Sequence, residues 1–310
     1  MSFMDDYWAK NKIVGHYGVP YLDKELLGIS CSDLVVIGAR SGAGKSTLGR
    51  IIYENNDRLT TALFSLENFE GDVEAEDIRK KYNEIMHTRI STREWQTGQI
   101  TPDRSVFEQI ENGINEEMRN STVFGRKTPD GNPWTVETLR QEMMRCVTSE
   151  GINLIILDHL DYLDRDNPNE SDISHVTELM KMIRDVQEVA PQGCGVVAFS
   201  HLRKPLGKVE DIAVPNENEF IGSSNKIKQA THVIMLAPDN KPNEGKGFGT
   251  WCCIRKNRSG GIKNEAALLY FDPTTASYNK NYDLYTINYS GTKTTPVSNF
   301  GPVNTIEDEL

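Results

Sequence analysis

Five apolar runs of strand length punctuate the chain: Leu34–Gly38, Thr61–Leu66, Leu154–Asp158, Gly195–Ser200 and His232–Leu236. Their apolarity is near-continuous rather than alternating, which suits parallel strands covered by helices on both faces. Between them apolar residues recur at helical spacing. Helices are predicted over Thr47–Asn55, Asp103–Met118, Thr135–Val147 and Ile173–Val189, with a highly charged one over Val73–His87. Strands alternating with helices predict an α/β fold with a doubly wound, mostly parallel sheet. Past Leu236 the style changes. Trp251–Arg255 and Ala266–Phe271 read as an antiparallel hairpin joined through Ser259-Gly260-Gly261, and from about Ser290 a Thr-, Pro-, Asn- and Gly-rich stretch ending Glu307-Asp308-Glu309-Leu310 predicts a flexible acidic tail.

The first strand runs directly into Ala39-Arg40-Ser41-Gly42-Ala43-Gly44-Lys45-Ser46, and Thr47 opens the helix that follows. Strand, glycine-rich turn and helix N-terminus make a phosphate cradle: backbone N–H groups and the positive end of the helix dipole face the anion, and a lysine adds a point charge. The pattern G-x-x-x-x-G-K-[ST] is met with Ala39 at its first position. A nucleoside triphosphate is the expected ligand.

Composition narrows the picture without redirecting it. A chain of 310 residues can bury a sizeable core, and no apolar run approaches the roughly 20 residues that span a bilayer. The start, Met1-Ser2-Phe3-Met4-Asp5-Asp6, lacks the order of a secretory signal. Cys31, Cys146, Cys194, Cys252 and Cys253 show no zinc spacing and read as reduced core residues. A net charge of −11 argues against a surface broadly coated with nucleic acid but leaves room for a narrow basic channel.

Hydrolysis of a triphosphate needs a magnesium site and a carboxylate that activates water. Leu154-Ile155-Ile156-Leu157-Asp158 ends an apolar strand in an acid, so Asp158 and Ser46 are the candidate Mg²⁺ residues. Glu67 stands at the end of the strand after the P-loop helix, on the sheet edge where ligands bind in open α/β sheets, placed to act as general base. Glu70, Asp72 and Glu74 read as a solvated face. His201, at the end of Val196–Ser200, is either a sensor of the γ-phosphate or a bystander satisfied by the core. Arg255-Lys256-Asn257-Arg258 at a hairpin tip is either solvated charge or a cationic finger for a neighbouring subunit's phosphate.

Taken in order, these positions resemble the RecA-like motor domain of replicative hexameric helicases, the DnaB-type and phage primase-helicase families, over about Gly18–Tyr278. Gly18-Val19-Pro20-Tyr21-Leu22-Asp23 resembles the segment that leads into the first strand, and the Ala39-Arg40 start is similar to DnaB-type loops. Phe64-Ser65-Leu66-Glu67 resembles the motif whose glutamate is the catalytic base. Leu157-Asp158-His159-Leu160 resembles the Walker B motif, Ser200-His201-Leu202 the phage-type sensor, and Lys256-Asn257-Arg258-Ser259-Gly260 the trans-acting finger. The resemblance implies a P-loop ATPase using ATP and Mg²⁺, a homo-oligomeric, hexameric ring on single-stranded DNA, a loader or primase as partner, and a cytoplasmic setting in a bacterial cell or phage-infected host. It implies catalytic roles for Lys45, Glu67, His201, Lys256 and Arg258. The expected division is a linker segment over 1–17, with a linker helix within Met4–Lys12, the motor domain over 18–289 and the tail over 290–310.

The DNA-facing loops depart from the family pattern. Arg203, Lys204 and Lys208 are the candidate DNA contacts, but they share their loop with Glu210, Asp211, Glu217 and Glu219, and the loop after Asp158 carries Asp161, Asp164 and Asp166. Backbone N–H groups also bind phosphates, so a DNA helicase stays the first expectation. A RecA- or KaiC-like ATPase that does not unwind DNA, such as a recombination mediator or helicase paralogue, is the second.

Overall fold

A computed structural model describes residues 2–68, 70–118, 122–164, 171–203, 214–215, 219–220, 223–239, 248–261, 264–272, 275–287 and 294–296. In chain order the helices are α1 (Phe3–Lys10), α2 (Pro20–Leu26), α3 (Lys45–Glu54), α4 (Glu70–Met86), α5 (Thr92–Gln96), α6 (Arg104–Met118), α7 (Val136–Ser149), α8 (Asp172–Val189) and α9 (Ser223–Gln229). The strands are β1 (Ile13–Gly15), β2 (Ile29–Ser30), β3 (Leu34–Ala39), β4 (Thr61–Ser65), β5 (Thr122–Phe124), β6 (Leu154–Asp158), β7 (Gly195–His201), β8 (His232–Pro238), β9 (Phe248–Asn257), β10 (Glu265–Asp272), β11 (Ser277–Tyr278), β12 (Asp283–Ile287) and β13 (Thr294–Pro296).

One large sheet runs β13-β12-β10-β9-β8-β3-β7-β6-β4-β5, with β11 beside β10. Neighbours from β8 to β5 pair in parallel, and the remainder pair antiparallel. The five expected parallel strands are all present, and β5 is a sixth. Its three residues were too few to stand out against the charged stretch before them. The expected hairpin is longer than its apolar core, because β9 runs on through the polar Arg255-Lys256-Asn257. Within the expected tail, Thr294–Pro296 pairs with β12 as an edge strand; the other tail residues lie outside those described.

Continuous apolarity in β3 has a simple cause: both faces of the sheet are covered. Leu34 and Val36 pack into one cluster with α7 and α8 through Leu139, Met143, Met180 and Ile183. Val35 and Ile37, pointing the other way, join Leu22 of α2 and Leu48, Ile51 and Ile52 of α3. Helices α4 to α6 form a satellite around Ile78, Tyr82 and Ile110. It is tied to α3 by Glu76, whose carboxylate takes Arg50 Nη2 at 3.1 Å and Arg79 Nε at 2.9 Å. Helix α1, in the expected linker segment, leaves Phe3, Tyr7 and Trp8 exposed. No described helix is long and apolar enough to cross a membrane.

Candidate active site

Register alone brings the motif residues to one edge. Ala39 at the end of β3 pairs with His201 at the end of β7, and Ser65 at the end of β4 pairs with Asp158 at the end of β6. Parallel strands share their C-terminal edge, so the P-loop, Glu67, Asp158 and His201 project into one crevice.

In the P-loop, Gly42 and Gly44 hold φ of +78° and +77°, a left-handed conformation that a side chain resists. Gly44 is also the N-cap of α3 and supplies no side-chain acceptor, whereas Thr135 and Ser171 cap α7 and α8 through their hydroxyls. The first N–H groups of α3 thus have no intrahelical partner, the arrangement that suits a bound phosphate. The Arg40 guanidinium faces elsewhere: Nε and Nη2 donate to Glu219 at 2.9 and 2.8 Å. Arg40 therefore contributes its backbone to the loop while its side chain neutralises an acid counted above against DNA binding.

Lys45 is the hub of the site. Its Nζ lies 3.7 Å from Glu67 Oε2, 3.6 Å from Asp158 Oδ1 and 3.5 Å from His201 Nε2. Burial presses the Lys45 ammonium below its ordinary pKa, and the charges of Asp158 and Glu67 oppose that shift. Burial, then the Lys45 and His159 charges, press the His201 imidazole below its ordinary pKa. Asp158 Oδ1 is buried with no hydrogen-bond partner among the described residues, and Ser46 lines the same cavity of about 230 Å³. An unsatisfied carboxylate oxygen beside a hydroxyl fits a hard divalent cation.

Of the remaining expected residues, Arg203 is exposed just past the end of β7, and Lys204 and Lys208 lie outside the described residues. Lys256 Nζ donates to the Ile227 and Lys228 carbonyls at 2.7 and 3.2 Å, near the C-terminus of α9. Arg258 is exposed, and its N–H donates to the Thr231 carbonyl, while Thr231 donates to Leu34 at the start of β3. That is the opposite sheet edge, roughly 17 Å of strand from the P-loop, so Arg258 does not meet its own chain's phosphate site.

Two further groups escaped sequence reasoning. A cavity of about 220 Å³ beside Gly42 and Gly44 is walled by Pro238, Phe248, Phe271 and Tyr278, from strands distant in sequence. His159, only 1 % exposed, aims Nε2 at Glu67 Oε2 at 3.6 Å. Its place next to Asp158 was the one available signal.

The sequence profile of the DnaB-like helicase C terminal domain matches residues 16–280. The chain belongs to this family. Replicative DNA helicase DnaB of Pasteurella multocida (strain Pm70) is 26% identical over 269 residues, covering 81% of this chain and 54% of that protein. DnaB of Treponema pallidum (strain Nichols) is 24% identical over 262 residues, covering 79% and 51%. This member of the DnaB-like family thus spans about half the length of the curated relatives it matches. Among solved structures, one described as an ATPase domain superposes with a TM-score of 0.67 at 16% identity, covering 89% of this chain and 94% of that one. A DnaB-like replicative helicase, described with its interactions with primase, superposes with a TM-score of 0.64 at 17% identity over 84% and 60%. These likenesses establish the RecA-like ATPase fold, mostly parallel with antiparallel strands at its C-terminal side.

Proposed function

We propose that this chain is the motor of a replicative DNA helicase, hydrolysing ATP at sites shared between subunits of a ring on single-stranded DNA. The carrying observation is the meeting of Lys45, Glu67, Asp158 and His201 around one point at the mouth of the P-loop, with Arg258 on the opposite edge. The chain's own residues divide the work. The P-loop N–H groups and Lys45 bind the phosphates of ATP. Glu67 takes a proton from water as its oxygen attacks the γ-phosphorus, and the bond to the bridging oxygen breaks to leave ADP and phosphate. Asp158 and Ser46 would hold Mg²⁺, which would supply neutralisation of phosphate charge. His201 reports the γ-phosphate to the segment that starts at Arg203. Arg258 of a neighbouring copy stabilises the spreading charge, a head-to-tail contact that a ring of copies supplies, and the family resemblance makes that ring a hexamer.

The domain limits of 1–17, 18–289 and 290–310, a loader or primase as partner, and action in the cytoplasm of a bacterial or phage-infected cell belong to the same reading. The alternative of a non-unwinding ATPase rested in part on acidic loops. Of those loop acids, Asp161 and Glu219 are paired internally with Lys226 and Arg40, which weakens that part of it. The test is ATPase turnover with and without single-stranded DNA, alongside the mass of the assembly. DNA-stimulated turnover by a ring is the expected result; turnover indifferent to DNA in a monomer refutes it.

A further inference from the structure

Beyond Asp158 the chain turns back through a single 3₁₀ turn, Leu160–Tyr162, and the half-buried Asp161 carboxylate turns onto the end of β7. Its Oδ2 accepts the His201 N–H at 2.6 Å, and its Oδ1 accepts from Lys226 Nζ at 3.1 Å. Lys226, from α9, is fully buried and also donates to Ser200 Oγ at 2.7 Å. One carboxylate and one ammonium, themselves paired, therefore hold the end of β7 through the His201 N–H and the Ser200 hydroxyl. On its other flank Asp161 holds His159: its N–H lies 3.3 Å and its Oδ2 3.4 Å from His159 Nδ1. Whichever nitrogen carries the proton, the ring is gripped on its Nδ1 side and its Nε2 is aimed at Glu67. His159 Nε2 is buried and has no hydrogen-bond partner among the described residues. The His159 ring stands edge-on to His201 at 4.2 Å between centroids, closing the arrangement.

An ion pair that takes a lysine fully out of water is a poor stabiliser beside the apolar side chains that could replace it, so its value lies in what it holds in place. We propose that Asp161, locked by Lys226, is a positioning residue of the hydrolytic site that sets His201 against Lys45 and His159 against Glu67. The proposal rests on the reading of this site as an ATPase. Asp161 and Lys226 touch none of the groups that grip phosphate; they act through the two histidines. Neutralising the pair therefore slows turnover without loosening the nucleotide.

The experiment compares the whole chain with the Asp161→Asn/Lys226→Met double variant, which removes both charges together and strands neither. Thermal unfolding, the Kd for a fluorescent ATP analogue, and kcat and KM for ATP are measured on each. Expected are a Kd and KM within about 2-fold of the parent and a kcat lower by about 10- to 100-fold. His159→Gln, which leaves the pair intact, reaches the same split by a second route and carries the test if the double variant does not fold. Unchanged kcat in the folded double variant, or in His159→Gln where that variant carries the test, overturns the proposal. So does a fall in kcat matched by an equal loss of nucleotide affinity. A parent that binds but does not turn over ATP overturns the ATPase reading and this proposal together; an active parent with equally active variants overturns this proposal alone.

Discussion

Gly38, the penultimate residue of β3, offers a sharp test of how closely the P-loop strand is packed. A Cβ built there meets Phe220 Cζ at 2.6 Å, Leu202 Cδ2 at 2.7 Å and Phe220 Cε1 at 2.8 Å, about 0.8 Å short of ordinary contact at the closest. Both neighbours are constrained. Phe220 is 1 % exposed, and Leu202 pairs with it as an isolated bridge while its own N–H donates to the Ala39 carbonyl. A close-packed interior has no spare volume to take up such a shift, so Gly38→Ala costs about 1–3 kcal/mol as overpacking. At about 2–4 °C per kcal/mol for domains of about 150–250 residues, the unfolding midpoint falls by roughly 2–12 °C. Phe220→Leu removes part of the ring that the methyl strikes. The double variant Gly38→Ala/Phe220→Leu is therefore expected to be more stable than the two single costs predict, with a coupling of about 1 kcal/mol. Urea unfolding of the four proteins in the cycle measures it. Strict additivity, or a Gly38→Ala variant within about 0.5 kcal/mol of the parent, refutes the contact.

Glu67→Gln is expected to bind nucleotide like the parent while kcat falls by about 10²–10⁴, read by steady-state ATPase and equilibrium binding; normal turnover removes Glu67 from the base role. Arg258→Ala and Lys45→Ala, each inactive alone, are expected to recover activity on mixing, because one mixed interface keeps both groups; no recovery at any ratio argues against shared sites. Glu76 is buried, which alone would raise its pKa, but Arg79 and Arg50 outweigh burial and hold it lowered. A carboxylate with a depressed folded-state pKa adds stability above its unfolded value, near pH 4.5, that is lost as pH falls through the lowered folded one. The parent is therefore expected to lose stability on acidification below about pH 4.5 more steeply than Glu76→Gln, as followed by unfolding midpoints from pH 7 to pH 3.

The parallel strands and their helices were legible because burial on both faces writes itself as unbroken apolar runs such as Leu34–Ile37. The P-loop was legible because its chemistry is contiguous: strand, glycines, lysine and helix follow one another. Short edge strands such as β5 and β13 were not, since three residues paired on one side need no distinctive composition. The charged helix α4 was found, but nothing in its sequence said that Glu76 would face Arg50 of the P-loop helix rather than water.

Local order along the chain determined the fold class, the phosphate loop and the identity of Glu67, Asp158 and His201 as candidates. The tertiary structure decided how they meet. Strand register gathers three separate strand ends around Lys45 and sends Arg258 to the far edge. It also paired two loop acids with cations, Asp161 with Lys226 and Glu219 with Arg40, although both counted in the sequence against phosphate contacts. The physical reason is that an acid's effect depends on its nearest counter-charge and its exposure. Both are set by residues tens to hundreds of positions away, which no local pattern records.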